Sequence, residues 1–248
     1  MIEPDDIRKT LEVSFYNEFA KDLGGPRKEF FELILQSIEN THFKQDTRAD
    51  LSEDYTIIGT IIALSLLQNG PMFDFGMDLD LIFESKSESI CIQNLRKGMN
   101  RLGLVDLCQL LPTFLHLFRP SSSVALSRKK LIELLKPEFS NKRKFENFIF
   151  MKFICEVASG RVENLNFEKV LAFVTCSRRE PLLGFSIKLS IVFSEAFGSL
   201  KWDFIPTAHT CGNILRLPVR NHHIALPSEN DLMEVYTSAY NNLFFCKV

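Results

Sequence analysis

Cys211 is the residue of this chain whose chemistry can be argued most directly from its neighbours. It lies in the stretch DFIPTAHTCGNILRLP, residues 203–218, with His209 and Thr210 directly before it. A proline-led loop precedes this cysteine and a strand-like segment follows it, so we expect its sulfur at the edge of a loop, where functional side chains are common. A thiolate is a strong nucleophile, but a free thiol is mostly protonated at neutral pH unless a cation or backbone amides lie nearby. His209 is a candidate for such a neighbour. A cysteine that simply packs in the interior is the alternative.

The other residues that could bind a metal do not form a recognisable site. The six cysteines contain no CxxC pair and no zinc-binding spacing. The adjacent pair His222 and His223 would point to opposite faces of a strand, and no third ligand motif lies near them. We therefore expect mostly reduced, buried thiols, a solvated loop at the two histidines, and neither a metal nor a cofactor. A Cys-His hydrolase would need a distant histidine and an orienting carboxylate or amide, and no motif indicates one.

The segment from residue 161 to residue 248 predicts a compact mixture of helices and strands around Cys211. Alternating apolar residues predict one strand over residues 187–193, and NILRL, residues 213–217, predicts another. FEKVLAFVT predicts a short helix capped by Asn166, and the capping box that starts at Ser228 predicts a further helix. These elements are expected to hold the loop that carries the cysteine.

Residues 1–160 predict a mostly helical first part. Alternating residues Leu11, Val13 and Phe15 favour one early strand, and a helix is expected from Pro26 onward. The stretch EDYTIIGTIIALSLLQ, residues 53–68, is apolar on nearly all sides, which predicts a helix buried inside a bundle. The segment GRVENLN, residues 160–166, predicts a linker and hinge. The sequence thus predicts an α+β protein of two domains, residues 1–160 and residues 161–248.

Charge and hydropathy exclude several classes of partner. The formal charge is −2, with 29 basic and 31 acidic side chains, so no overall field would attract nucleic acid or an anionic membrane. The longest apolar run, Ile57 to Leu67, is too short to cross a bilayer. The first residues, MIEPDDIRKT, lack the features of a signal peptide, which favours a cytoplasmic or nuclear protein.

Two separate stretches resemble HECT-type ubiquitin ligases in the order and spacing of their residues. In the small C-terminal lobe of that family, a helix ending in Phe-Val-Thr precedes a Leu-Pro-x-Ala-x-Thr-Cys-Phe-Asn-x-Leu-x-Leu-Pro motif. The matching residues here are Phe173, Val174, Thr175, Arg179, Pro181, Gly184, Phe185, Pro206, Ala208, Thr210, Cys211, Asn213, Leu215, Leu217 and Pro218. In the large lobe the matching residues are Val13, Phe15, Glu18, Asp22, Gly24, Gly25, Glu29, Phe30 and Phe31.

The resemblance implies a bilobal fold, with residues 1–160 as a shortened N-lobe and residues 161–248 as a C-lobe with the cysteine loop. It implies that Cys211 accepts ubiquitin as a thioester from a ubiquitin-conjugating enzyme and passes it to a lysine of a protein substrate. The same resemblance assigns supporting roles to His209, Thr210 and Asn213 around the cysteine. It also gives Phe245, fourth from the end, a role in anchoring the tail or positioning ubiquitin.

Three departures from the family pattern leave a second interpretation open. Gly212 replaces an aromatic residue, which predicts a looser loop with one packing contact fewer. Cys176 replaces a glycine after Thr175, and a left-handed turn there would strain a cysteine. The region between LLQNGP and NFEKVLAF is shorter than in a full HECT domain. The alternative is therefore a weak or inactive HECT-like binding or scaffold module, or a fragment of a longer chain.

Overall fold

The structure is a computed structural model, and it describes residues 7–16, 24–44, 47–76, 79–83, 89–118, 126–135, 144–181, 183–220 and 222–242. The fold belongs to the α+β class, as the sequence predicted, and is mostly helical. Its α-helices are α1 (Gly25–Ile38), α2 (Asp54–Leu67), α3 (Leu79–Phe83), α4 (Ile90–Asn100), α5 (Leu104–Leu110), α6 (Arg128–Leu135), α7 (Lys144–Ala158), α8 (Phe167–Thr175) and α9 (Glu229–Asn242). Its strands are β1 (Ser190–Glu195), β2 (Thr207–His209) and β3 (Ile214–Val219). The structure also contains a π-helical turn, Glu39–Phe43, and 3-10 turns at Ala49–Leu51, Pro112–Phe118 and Lys201–Phe204.

The chain divides into two compact units. The first contains residues 1–13, 27–124 and 180–184, and the second contains residues 14–26, 125–179 and 185–248. Helices α6 and α7 therefore lie in the same unit as α8 and the sheet. The two family lobes predicted at residues 1–160 and 161–248, and the hinge between them, stay predictions.

In the first unit, helices α2 and α4 approach each other through two glycines. A Cβ atom placed on Gly59 would overlap the carbonyl oxygen of Leu95, and one placed on Gly98 would overlap the carbonyl oxygen of Thr56. The Thr60 hydroxyl donates to the Thr56 carbonyl, 2.9 Å away, within the same helix. The absence of side chains at the two glycines lets the helix backbones touch.

Five phenylalanines form an aromatic cluster in the core of the first unit. Neighbouring rings in this cluster have centroid distances between 5.1 and 6.2 Å, within the range of favourable aromatic pairs. Its members are Phe43, Phe73, Phe75, Phe83 and Phe118, and all five are buried. This cluster accounts for part of the high phenylalanine content of the chain.

The predicted strand at residues 11–15 is wrong. These residues run as irregular backbone, although their side chains alternate between half-buried and exposed. Here two side chains form hydrogen bonds with the backbone groups of Leu11 that a neighbouring strand would otherwise bind. The Leu11 N–H donates to Gln68 Oε1 at 3.0 Å, and Arg27 donates to the Leu11 carbonyl at 3.1 Å. The alternation therefore reports burial on one side, without strand pairing.

The apolar segment at residues 53–68 forms helix α2, but the prediction that it is buried on nearly all sides is wrong. Tyr55, Ile58 and Ile62 lie in the core, whereas Ile57 is 63% exposed and Leu67 is 54% exposed. The contacts with α4 bury one side of the helix only. Apolar residues thus continue onto a face that the described residues of this unit leave open.

In the second unit, a three-stranded sheet has the order β1-β3-β2. Strand β3 is central, because it pairs parallel with β1 and antiparallel with β2. Helix α8 contacts β2, β3 and α9. The core contains residues of four helices and two strands, among them Phe153, Phe173, Leu215, Leu217 and Tyr240.

Local signals in the sequence predicted several elements of this unit correctly. Helix α8 begins at the expected cap, where Asn166 Oδ1 accepts from the Lys169 N–H at 2.9 Å. Helix α9 begins after Ser228, whose Oγ accepts from the Asp231 N–H at 3.2 Å. The residue 213–217 strand is present as β3, but the strand expected at residues 187–193 begins only at Ser190. Strand β2 was not predicted.

A 3-10 turn before β2 carries the single tryptophan of the chain. Trp202 is 46% exposed, and the Lys201 ammonium lies 5.3 Å from the centroid of its ring. The same ammonium forms an ion pair of 2.8 Å with Glu234 of α9. These contacts connect the segment before the cysteine to the last described helix.

Candidate functional site

Cys211 lies in a four-residue hairpin connection between β2 and β3, which we call the cysteine turn (Thr210, Cys211, Gly212, Asn213). The strands pair up to His209 and Ile214, directly on either side of the turn. The turn is closed by bonds from the Gly212 N–H to the His209 carbonyl at 3.1 Å and from the Asn213 N–H to the Thr210 carbonyl at 3.4 Å. Cys211 is half-buried. Two paired strands therefore present the thiol at the end of a hairpin.

Asn213 fixes the cysteine turn to the rest of the sheet. Its backbone is left-handed, with a φ of +53°, a conformation that asparagine adopts more readily than most residues. Its side chain is fully buried and donates from Nδ2 to the Ile187 carbonyl at 2.6 Å. Its own carbonyl accepts from the Ser190 N–H at 3.1 Å. Asn213 thus ties the turn to the start of β1 through both side chain and backbone.

His209 lies beside the backbone of the cysteine turn and is exposed. A Cβ atom placed on Gly212 would lie 3.1 Å from His209 Nδ1 and 3.2 Å from Ile214 Cδ1. An aromatic residue at position 212 would require these neighbours to move. His209 and Ile214 thus closely flank position 212, and the expectation of one packing contact fewer than in the family stays a prediction.

Gly25, the first residue of α1, lies beside the thiol, and the sequence did not indicate this. Gly25 belongs to the second unit and is buried. A Cβ atom placed on it would lie 2.9 Å from Cys211 Sγ, 2.9 Å from Thr210 Oγ1 and 3.5 Å from the Cys211 backbone nitrogen. Gly25 was matched to a family motif, but its place beside Cys211 depends on contacts between segments distant in the sequence.

The turn that follows α8 has the left-handed geometry expected of the position after Thr175. Cys176 has a φ of +56° and is buried. The fully buried Thr175 hydroxyl lies 2.9 Å from the Leu171 carbonyl and accepts from the Ser177 N–H at 3.1 Å. A cysteine therefore occupies a conformation that suits glycine better.

The remaining cysteines described in the structure differ in exposure. Cys91, Cys108 and Cys176 are buried, and Cys155 is half-buried like Cys211. Burial raises the pKa of the Cys108 thiol to about 11, which keeps it protonated and unreactive at neutral pH. This agrees with the expectation that most thiols are buried. His222 and His223 are exposed in the loop before α9.

Some expected site residues lie outside the described part of the chain. These are Phe245 and the two motif residues Glu18 and Asp22. Within the part that is described, no three His, Cys, Asp or Glu side chains group as ligands for a metal ion. None of the described helices is long and apolar enough to cross a bilayer.

The model of the HECT-domain (ubiquitin-transferase) family matches residues 92–226, which is more than half of the chain and includes the cysteine turn. The chain belongs to the HECT family. A search of curated proteins found no match. HECT domains are ubiquitin transferases that bind ubiquitin-conjugating enzymes and substrates.

Proposed function

We propose that this HECT-family chain is a ubiquitin transferase that carries ubiquitin as a thioester on Cys211. The observation that carries the proposal is the position of Cys211, half-buried at the end of a hairpin inside the segment that matches the family. A thiol that only packed in a core would not be held in a four-residue connection with part of its surface open. Family membership supports the class of reaction, and the half-buried position of Cys211 at the end of the hairpin supports its choice as the nucleophile.

In the first step, the Cys211 thiolate attacks the carbonyl carbon of the thioester that joins ubiquitin to the cysteine of a conjugating enzyme. The new carbon–sulfur bond to Cys211 Sγ forms in this attack and gives a tetrahedral intermediate, which then collapses and restores the carbonyl group. The bond to the conjugating enzyme's sulfur breaks in this collapse, and that cysteine leaves as a thiolate. No net oxidation or reduction takes place, so the step needs no redox cofactor.

In the second step, the ε-amine of a substrate lysine attacks the same carbonyl carbon. An amide bond forms to the lysine, the carbon–sulfur bond to Cys211 breaks, and the amine proton is released. Cys211 returns to its free form. The lysine must be deprotonated and close to the carbonyl carbon, so transfer depends on how the substrate is positioned.

The neighbours of Cys211 are proposed to hold the thiol in position for both steps. Asn213 supports the turn through its bond to the Ile187 carbonyl, and Thr210 places a hydroxyl next to the thiol on the side of Gly25. His209 provides an exposed polar group beside the turn. Phe245 keeps the proposed role of anchoring the tail or positioning ubiquitin.

The partners that follow from this proposal are ubiquitin, a conjugating enzyme and a protein substrate. The site that we describe consists of a small hairpin and contains nothing that would select one substrate. We propose a cytoplasmic or nuclear location, where the ubiquitin system operates.

The proposal is tested by incubating the purified protein with activating enzyme, a panel of conjugating enzymes, ubiquitin and ATP, followed by a non-reducing gel. We expect a ubiquitin adduct that disappears on addition of reductant. The adduct should be absent from Cys211→Ala and present in Cys155→Ala, a matched control at the other half-buried cysteine. If no conjugating enzyme in the panel loads either the wild-type protein or Gly25→Ala, a substitution beside the thiol, the transferase proposal fails and the binding or scaffold interpretation replaces it.

A further inference from the structure

We infer that the backbone at Gly25 covers the Cys211 thiol, and that this contact must open before the thiol can take up ubiquitin. The inference rests on the proposed function of Cys211 but concerns a different residue. It assigns to the start of helix α1 the role of an autoinhibitory contact.

The geometry of Gly25 shows how close the contact is. A single added carbon at Gly25 would lie 2.9 Å from both Cys211 Sγ and Thr210 Oγ1, closer than carbon approaches sulfur or oxygen without a bond. Both γ atoms follow a single χ1 rotation, so two side chains would have to move together to make room. The turn and the helix start are therefore in van der Waals contact, with no space left for a side chain.

The backbone conformation does not explain why a glycine stands here. Gly24 has a φ of +110°, a conformation that favours glycine, but Gly25 does not lie in the left-handed region. As the first residue of an α-helix, position 25 would accept alanine without backbone strain. The close approach of the cysteine turn is thus the feature that requires the missing side chain.

The contact matters because thioester exchange needs space around the sulfur. The carbonyl carbon of the incoming thioester must come within about 3.5 Å of the attacking atom, and it brings the end of ubiquitin and a second cysteine with it. In this structure the backbone at Gly25 occupies one side of Cys211 Sγ. Movement of Gly25 away from the turn would expose that side, so the strength of this contact within the second unit sets how readily the thiol reacts.

The first test measures the rate at which iodoacetamide alkylates Cys211. The tryptic peptide of residues 202–216 contains no other cysteine, so mass spectrometry follows this thiol alone. Gly25→Ala should alkylate about fivefold faster than wild type, because the added methyl group favours the open arrangement. Ser37→Ala, at an exposed position of the same helix, should alkylate at the wild-type rate.

The second test traps the contact directly and does not depend on an added clash. In Gly25→Cys, the new Cβ atom would lie at the 2.9 Å separation from Cys211 Sγ that a disulfide can bridge. Treatment with oxidised glutathione should form a bond between positions 25 and 211, with release of reduced glutathione. That bond should block ubiquitin loading until reductant is added. Ser37→Cys should not cross-link to Cys211.

The two proposals fail in different ways. If Cys211 of Gly25→Ala is alkylated no faster than in wild type, or if Gly25→Cys forms no disulfide with Cys211, the inferred autoinhibitory contact is overturned whatever the loading gel shows. If the alkylation and cross-linking results are as expected but no conjugating enzyme loads either the wild-type protein or Gly25→Ala, the inference about Gly25 stands and the transferase proposal fails.

Discussion

Asn213 meets two requirements that few other residues could meet together. The end of the cysteine turn has a left-handed backbone, and the Ile187 carbonyl accepts a hydrogen bond from the buried side chain of this residue. Glycine would satisfy the first requirement but has no donor. Aspartate tolerates the same backbone, but an ionised carboxylate can only accept. The side chain of Asn213 is therefore as important to the turn as its backbone.

Asn213→Asp should destabilise the protein by about 2 kcal/mol, because it replaces a buried donor with an acceptor that faces the Ile187 carbonyl. The measurement is the free energy of unfolding from urea titration. Asn164→Asp is the matched control, since Asn164 also has a left-handed backbone, with a φ of +58°, but is exposed. Equal losses in the two variants would show that the bond to Ile187 contributes nothing specific.

At the scale of elements, the crossing of α2 and α4 depends on two backbones in direct contact. Gly98→Ala would place a methyl group on the carbonyl of Thr56. Although alanine favours helix by about 1 kcal/mol over glycine, we expect a net loss of about 2 kcal/mol, because the helices must move apart.

Thermal or urea unfolding measures this loss for Gly98→Ala. Lys97→Ala is the control one residue earlier in α4, at an exposed position, and should change the stability by less than about 0.5 kcal/mol. A Gly98→Ala variant as stable as wild type would contradict the close crossing.

Elements with local signals were predictable, and those fixed by distant contacts were not. The caps of α8 and α9 follow from side chains within three residues of the helix start, so the sequence was enough to find them. The alternation at residues 11–15 carries no information about pairing, and the Gln68 side chain takes the place of a strand neighbour. Short strand β2 has only three residues, too few for a period to be visible.

The same division holds for the candidate site: residues that are neighbours in the sequence were predictable, and a residue brought in from a distant segment was not. Cys211, His209, Thr210 and Asn213 were found because they follow one another in a recognisable motif. The place of Gly25 beside the thiol could not be found in this way, because it results from the packing of a distant segment.

At the scale of the whole molecule, the buried Cys108 thiol makes stability depend on pH in the alkaline range. Its pKa of about 11 in the folded protein lies above the value of about 8.5 for a thiol in the unfolded chain. The unfolded chain therefore loses this proton first as the pH rises. The contribution is fully present below about pH 8.5 and is lost progressively up to about pH 11.

Cys108→Ala should reduce the fall in unfolding free energy between about pH 8 and about pH 10.5 by about 2 kcal/mol, as measured by urea titration at each pH. Burial also raises the pKa of Tyr55 and Tyr240, but both tyrosines remain in the variant, so the difference isolates the thiol. Leu107→Ala, an exposed position of the same helix, should keep the wild-type fall. A variant with the same pH dependence as wild type would contradict the raised pKa.

The place of Trp202 gives the molecule a built-in optical reporter. Because it is the chain's single indole and lies in the second unit, tryptophan fluorescence, excited selectively, follows the unfolding of that unit, whereas circular dichroism at helical wavelengths follows both. Coincident curves from the two signals would describe one cooperative transition. Separated curves would assign a stability to each unit without a label, a truncation or a partner protein.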